Sequence, residues 1–551
     1  MLSLFRSSAV GWVGWLAVAI GAGIVAGGLS SAWADTRLFP IVSVSETYDT
    51  NVFYAPKSIL APGITPEDFV TFVNPQLILV HSNPSLSGSL SVGGVVGKYI
   101  NNPDLDFAGF NAATTLNITQ MAKRISKRIT SLSVLGTYQF TPSASAFGGG
   151  GVGFGGVGFG TAGSIGTGAI GPFDSGLVSN RARVTSYSGS VNGSYALTQL
   201  TSLSFGYSYN HITFGGQFGL ESSAVQNQLF DTTGHTVTAG LNRQMSLNDT
   251  LSLNYAYSTF DQSTSGTFTT HTTTGTWSHL WTRELASTVG GGATVLEPYE
   301  NMNSGVSQSV PLQIQPSVTA VLTWSSASSA LRGVGESAGA FGGRMVASPM
   351  LMSSMGARSG SIGGLPGQAG SIAAGTILGR GRYILALSYN YGIFPSYVAE
   401  SGPIQTHVFG AQGSFGLTDR ITGQLGVNFA RSIGDLGGSQ SSVFATDTYG
   451  TTAGLNYLVT PNLQASLTHS WLNFVDSSPN PSTVNDGNGA YQFSKQMVML
   501  SLSYVFTATQ GFFRSGGLSS GPSSGTSGSS GSTLPGSGGS PSGGSPEKGL
   551  K

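Results

Sequence analysis

Seven histidines, His81, His211, His235, His271, His279, His407 and His469, are the residues of this chain best suited to moving protons near neutral pH. A hydrolytic site would need one of them beside a serine, with a polar group to orient the ring. None of the seven stands in a nucleophile motif, and no two are four residues apart, the helical spacing that puts two imidazoles on one metal. The chain has no cysteine, which removes disulfides, thiolate metal sites and cysteine nucleophiles. Gly151-Val152-Gly153-Phe154-Gly155-Gly156 fits the Gly-x-Gly-x-x-Gly pattern of dinucleotide sites, but it lies inside the tandem repeat GVGFGGVGFG with no strand-turn-helix around it. Asn485-Asp486-Gly487-Asn488-Gly489 suggests a calcium loop, yet it lacks the acidic ligands and closing Glu and reads as a tight turn. The sequence therefore points to no catalytic, cofactor-binding or metal-ligating residues, to no cofactor, and to a protein that is not an enzyme.

The one basic cluster is Lys123, Arg124, Lys127 and Arg128, in MAKRISKR. It could meet anionic phospholipid headgroups or a negatively charged polymer; the plainer expectation is a solvated turn. With 23 basic and 23 acidic residues, the chain has no overall electrostatic reason to bind nucleic acid.

The elements that position these residues announce themselves by a period of two. Leu203, Phe205, Tyr207 and Tyr209 alternate with Ser204, Gly206, Ser208 and Asn210; Leu251, Leu253, Tyr255 and Tyr257 alternate with Ser252, Asn254, Ala256 and Ser258. Each run reads as a strand with one apolar and one polar face. Charged residues are only 8% of the chain, against about 25% in soluble proteins, so the polar faces are made of hydroxyls and amides. A soluble sandwich would carry Lys and Glu there, whereas a membrane barrel turns its apolar set to lipid and a small polar set to its lumen. Aromatic residues toward strand ends, such as Tyr389/Tyr391 and Tyr504/Phe506, suit interfacial girdles.

The connections alternate in length. Short turns such as Leu197-Thr198-Gln199-Leu200, Leu417-Thr418-Asp419-Arg420 and Val459-Thr460-Pro461-Asn462 alternate with mostly longer polar or Gly-rich stretches, for instance 50–68, 213–233 and 475–491. Short periplasmic turns and long external loops produce this asymmetry. Eighteen strands are expected, running from 39–48, 69–81, 86–99 and 107–119 to 447–459, 463–474 and 492–506. The fold class is all-β, a transmembrane antiparallel β-barrel of about 18 strands, with 16 to 18 as the expected range.

Residues 1–34 read as a secretory signal: Arg6 supplies the positive start, an apolar run follows, and Ala32-Trp33-Ala34 is an A-x-A cleavage site. Five glycines from Gly11 to Gly27 favour this over a retained helix. The barrel is expected over 35–506, interrupted by a Gly-rich external loop at 141–182 and an insertion at 325–381. By parity that insertion falls on the turn side, either as a periplasmic excursion or as a plug folded into the lumen. Residues 507–551 are rich in Gly, Ser and Pro and are expected to be a disordered tail.

The opening strand, Val42 to Pro56, with Tyr48-Asp49-Thr50-Asn51, resembles the start of the outer-membrane β-barrel porin family often associated with exosortase and exopolysaccharide systems. Its order differs from that family's commoner Tyr-Thr-Asp-Asn, and the repeated aromatic-x-Leu-Thr turns across 39–506 extend the resemblance. It implies an outer-membrane barrel serving polysaccharide export, and no catalytic residues. The ending Leu500, Leu502, Tyr504, Phe506 resembles the signal read by the barrel assembly machinery, although a tail follows it here. The expected function is a porin-like passive channel for small polar solutes or saccharides in the cell outer membrane of a Gram-negative bacterium. The expected partners are outer-membrane lipid, the assembly machinery and polysaccharide, with the oligomeric state left open. The alternative is a surface-structural or adhesive barrel whose Gly-rich loops are the working part.

Overall fold

The computed structural model describes residues 35–506 except 54–55, 58–59, 61–62, 84, 145–180, 219–230, 263–265, 304–305, 327–380, 395–403, 435–443 and 477–491. The signal segment, the GVGFG repeat, most of the insertion, the turn at 485–489 and the tail lie outside the described residues.

In chain order the strands are β1 (Asp35–Asp49), β2 (Asp68–Ser82), β3 (Ser87–Tyr99), β4 (Phe107–Asn117), β5 (Ile129–Ala144), β6 (Arg181–Ala196), β7 (Thr201–Phe218), β8 (Thr232–Gln244), β9 (Asp249–Gln262) and β10 (Gly266–Leu280). There follow β11 (Leu285–Leu296), β12 (Tyr299–Asn303), β13 (Val306–Val310), β14 (Gln313–Ser325), β15 (Tyr383–Phe394), β16 (Ile404–Gly416), β17 (Ile421–Gly434), β18 (Phe444–Thr460), β19 (Leu463–Asp476) and β20 (Gln492–Val505). All except β12 and β13 belong to one 18-stranded antiparallel sheet in which chain neighbours pair. β1 also pairs with β20, with Val44 opposite both Val73 and Leu502, so the sheet closes and no edge is left unpaired. Barrel strands run from 11 residues in β4 to 18 in β7. A tilted strand needs about 9–11 residues to cross the hydrocarbon, so every one of them is long enough.

The Leu-Thr turns form because a hydroxyl replaces the missing ladder partner. Thr282, Thr418 and Thr460 each accept, through Oγ1, the backbone N–H three residues ahead at 3.0 Å. These turns all fall at one end of the barrel, together with the α1 connection between β4 and β5 and the insertion between β14 and β15, while most of the other longer connections fall at the opposite end.

Two elements depart from the sequence expectation. The strand expected over 107–119 stops at Asn117, and a short helix, α1 (Thr119–Ile125), follows. Gln120 to Arg124 are strong helix formers, and the Asn117 side chain accepts the Thr119 N–H at 3.1 Å, which turns the chain out of the ladder. The connection between β11 and β14 carries the hairpin β12–β13, with Tyr299 opposite Val310. The boundaries of two expected irregular segments also shift. Strand continues through Ala144 and resumes at Arg181, inside the expected 141–182 loop. Ser325 belongs to β14, and Gly381, at φ +73°, turns the chain into β15 through a left-handed conformation that favours glycine.

Candidate functional site

The register assigns every strand residue to one wall or the other. Val42, Val44, Phe205, Leu253, Tyr255, Leu425, Leu500 and Leu502 are exposed on the outside, while Ser45, Thr47, Ser208, Asn254, Ser258, Thr274 and Thr276 are buried toward the lumen. Between Arg37 at the turn end and Asp49, Asp68 and Lys495 at the loop end, the lumen-facing positions of the described strands carry no charge.

Carboxamides lie flat on this inner wall because they face glycines across the ladder. Asn111 opposes Gly93, Asn192 opposes Gly206, Asn210 opposes Gly234, Asn254 opposes Gly240 and Asn428 opposes Gly450. A Cβ at Gly93 would sit 2.7 Å from the Asn111 Oδ1, and one at Gly206 would sit 2.9 Å from that of Asn192. The missing side chain therefore gives the neighbouring amide its place. Several inward groups have no hydrogen-bond partner among the described residues, including Asn254 Nδ2, Thr47 Oγ1, Thr276 Oγ1 and Thr448 Oγ1. Groups of this kind need water or a polar solute to satisfy them.

The loop end of the lumen is apolar by contrast. Val70, Phe72 and Tyr99, facing inward from β2 and β3, are roofed by Val52, Phe53 and Leu105 from the first two long connections. Phe260, Phe268 and Leu296, facing inward from β9 to β11, are covered by Tyr299 of the β12–β13 hairpin, whose ring lies 5.9 Å from that of Phe268. Burial pushes the Tyr299 phenol up to about 12. β2 and β10 are eight steps apart around the ring of eighteen, so the two clusters stand on nearly opposite walls.

The motif Tyr48-Asp49-Thr50-Asn51 clasps the seam between β1 and β20. Asp49 Oδ2 is 2.6 Å from the ammonium of Lys495, whose side chain is 1% exposed. Thr50 exchanges two bonds with Gln496, donating its N–H to the carbonyl at 3.0 Å and accepting the Gln496 N–H on Oγ1 at 2.9 Å. The Asn51 N–H donates to Asp49 Oδ1 at 2.9 Å, and the Tyr48 hydroxyl donates to Glu67 at 2.9 Å. Asp68, fully buried, accepts the N–H groups of Ile100, Asn101 and Asn102 and so fixes the second long connection.

The histidines are not brought together. By register, all seven lie on the outward face: His81 pairs with Thr36 and Gly88, His211 with Tyr187, His235 with Tyr209, His271 with Tyr257, His279 with Asp249, His407 with Tyr391 and His469 with Val498. The basic cluster sits on α1 and the residues after it, at the turn end, where Arg124 donates to Ser85 Oγ at 2.7 Å. No group of acidic, His or Cys side chains suited to a metal occurs among the described residues. No helix among them is long and apolar enough to cross a membrane.

An outer wall of Val, Leu and Phe banded by aromatic residues, closed around a wall of hydroxyls and amides, can face only hydrocarbon outside. The chain is a β-barrel of the cell outer membrane. No family model matches it, and no curated protein does. Solved structures do: OpdQ of Pseudomonas aeruginosa at 10% identity, covering 86% of this chain and 98% of that one with a TM-score of 0.37. OprD of the same organism matches at 8% identity over 87% and 96% with a TM-score of 0.35, and the FrpB iron transporter of Neisseria meningitidis at 10% over 87% and 82% with a TM-score of 0.36. At these identities and scores none of them assigns the chain a cargo.

Proposed function

We propose that this barrel is a passive, porin-like conduit for small polar solutes, saccharides among them, and that hydrogen bonding rather than ion pairing governs passage. The carrying observation is the lumen wall, uncharged between its two ends and lined by hydroxyls and by carboxamides laid over glycines. A solute rich in hydroxyl groups can exchange its water for such a wall at little cost, because each donor and acceptor finds a counterpart. The resemblance of the opening strand supports a link to exopolysaccharide export. The protein is not an enzyme in this reading: with every histidine on the outward face by register, no imidazole serves as a base inside the lumen.

Reconstitution into planar bilayers tests the conduit. Folded, heat-modifiable protein is expected to conduct, with an uncharged oligosaccharide reducing the current while it occupies the lumen. Absence of conductance from protein that has passed the folding check would remove the reading.

A further inference from the structure

On the outer face, toward the loop end, a tyrosine-histidine arrangement recurs. Tyr209 stands opposite His235 and Tyr257 opposite His271, with ring centroids 5.1 and 5.2 Å apart; Tyr391 stands opposite His407 at 4.3 Å. In each case the tyrosine two residues earlier is bonded to Nδ1 of the imidazole: Tyr207 at 2.9 Å, Tyr255 at 2.7 Å and Tyr389 at 3.1 Å. A phenol donating to Nδ1 leaves the ring proton on Nε2, pointing away from the wall. His271 hands its Nε2 to Glu297 at 2.8 Å, whereas Nε2 of His407 has no partner among the described residues.

His407 also has a neighbour the others lack. Its partner on β17 is Arg431, where His235 faces Thr259 and His271 faces Val295. Arg431 is half exposed; its nearest acid, Asp447 on β18, approaches Nε at 3.9 Å, beyond hydrogen-bond length. One outward step below runs an aromatic row in register, Tyr389, Phe409, Phe429 and Tyr449. Rings of this kind mark the boundary between acyl chains and headgroups, so His407 and Arg431, about 7 Å farther out along their strands, stand at headgroup depth.

We propose that Arg431 and His407 form a seat for the phosphate of an anionic phospholipid, one with no headgroup cation of its own, in the external leaflet. The guanidinium presents its η nitrogens, which bond no described residue, to two phosphate oxygens, Nε2–H of His407 donates to a third, and the aromatic row beneath packs on the acyl chains. Charge complementarity selects this occupant: a cation that, among the described residues, pairs only loosely with one acid, Asp447 at 3.9 Å from Nε, is placed where lipid phosphates lie. The seat depends on the lipid face alone and stands or falls independently of what crosses the lumen.

The test uses the full chain in nanodiscs of phosphatidylcholine doped with phosphatidylglycerol, with retained lipid counted by native mass spectrometry. Wild type is expected to hold phosphatidylglycerol in excess of its share. The R431Q/H407Q variant is expected to lose that excess severalfold, and K98Q, elsewhere on the outer rim, to keep it. Should the double variant fail the heat-modifiability check, R431K is read instead; it keeps the charge but not the planar fork, and weaker retention is expected. Unchanged retention in the altered barrel, no excess in wild type, or displacement by inorganic phosphate at matched concentration would overturn the proposal. So would a dimer of this chain in the same spectra that R431Q/H407Q dissolves.

Discussion

The ammonium of Lys495 and the carboxylate of Asp49 sit 2.6 Å apart, nearly out of reach of water, at the loop end of the seam that closes the barrel. Removing one partner from such a pair costs far more than the pair contributes, because the survivor is left buried and charged. Lys495→Met is therefore expected to destabilise the barrel by roughly 3 kcal/mol, and Asp49→Asn added to it to recover most of the loss. Urea unfolding followed by heat-modifiable mobility checks this, and equal stability of the single and double variants would contradict it. Outside the spanning strands, Asp106 carries a pH signature. The Lys98 ammonium that bonds it, and then the Tyr99 N–H it accepts at 2.8 Å, hold its carboxyl below the usual 3.8. A depressed value means that its contribution is complete above the ordinary aspartate range and fades as acid protonates it. Exchange protection of the Tyr99 amide is accordingly expected to fall below about pH 4 in wild type, to lose that pH dependence in D106N, and to be low at every pH in D106A, which has no acceptor. Of these residue-level features the sequence displayed only the motif Tyr48-Asp49-Thr50-Asn51. Its partner Lys495 is hundreds of residues away, and no local pattern joins them.

Among the elements, alternation alone located all eighteen barrel strands, because a strand between lipid and lumen has no freedom in which side chains face out. Leu251 to Tyr257 shows why the signal is so clear: each slip by one residue would put a hydroxyl in hydrocarbon and an aromatic ring in the lumen. The missed elements, α1 and the β12–β13 hairpin, lie outside the 18-stranded sheet, where the two-residue period has no lipid face to enforce it. The flat amides were likewise out of reach, since Asn254 and Gly240 become partners only through the register of β8 and β9. Gly234→Val, which would push Asn210 off the wall and into the lumen, is expected to narrow the path and lower single-channel conductance while leaving heat-modifiable mobility intact. The hairpin makes a parallel prediction. β11 and β14 pair directly from Leu285 opposite Trp324 to Leu296 opposite Gln313, so the barrel does not need what connects them. Replacing residues 298–311 with a short turn is expected to leave the barrel folded and to raise conductance by uncovering Phe268 and Leu296; a chain that no longer folds would show the hairpin to be part of closure instead.

For the whole molecule the decisive property is the charge its inner wall presents to a moving solute. A pore lined by a ring of one sign concentrates counter-ions and excludes co-ions; the described lumen offers neither, because Asp49 and Lys495 cancel, Asp68 is buried among the backbone N–H groups it accepts, Arg37 stands at the turn end, and the stretch between the ends carries only uncharged residues. Cations and anions of similar size should then cross at similar rates, and a salt gradient across a bilayer holding the protein is expected to give a reversal potential near zero. Changing ionic strength should scale the current with bulk conductivity and leave saccharide permeation unaltered, since screening has no wall charge to act on. A single added charge should break this indifference. Thr274, inward-facing and mid-strand in β10, lies far from both charged ends. Thr274→Glu is expected to turn the conductance cation-selective most strongly in dilute salt, and Thr274→Lys to turn it anion-selective. Strong selectivity already present in wild type, or none induced by either substitution in a folded barrel, would mean that ions do not travel along this wall.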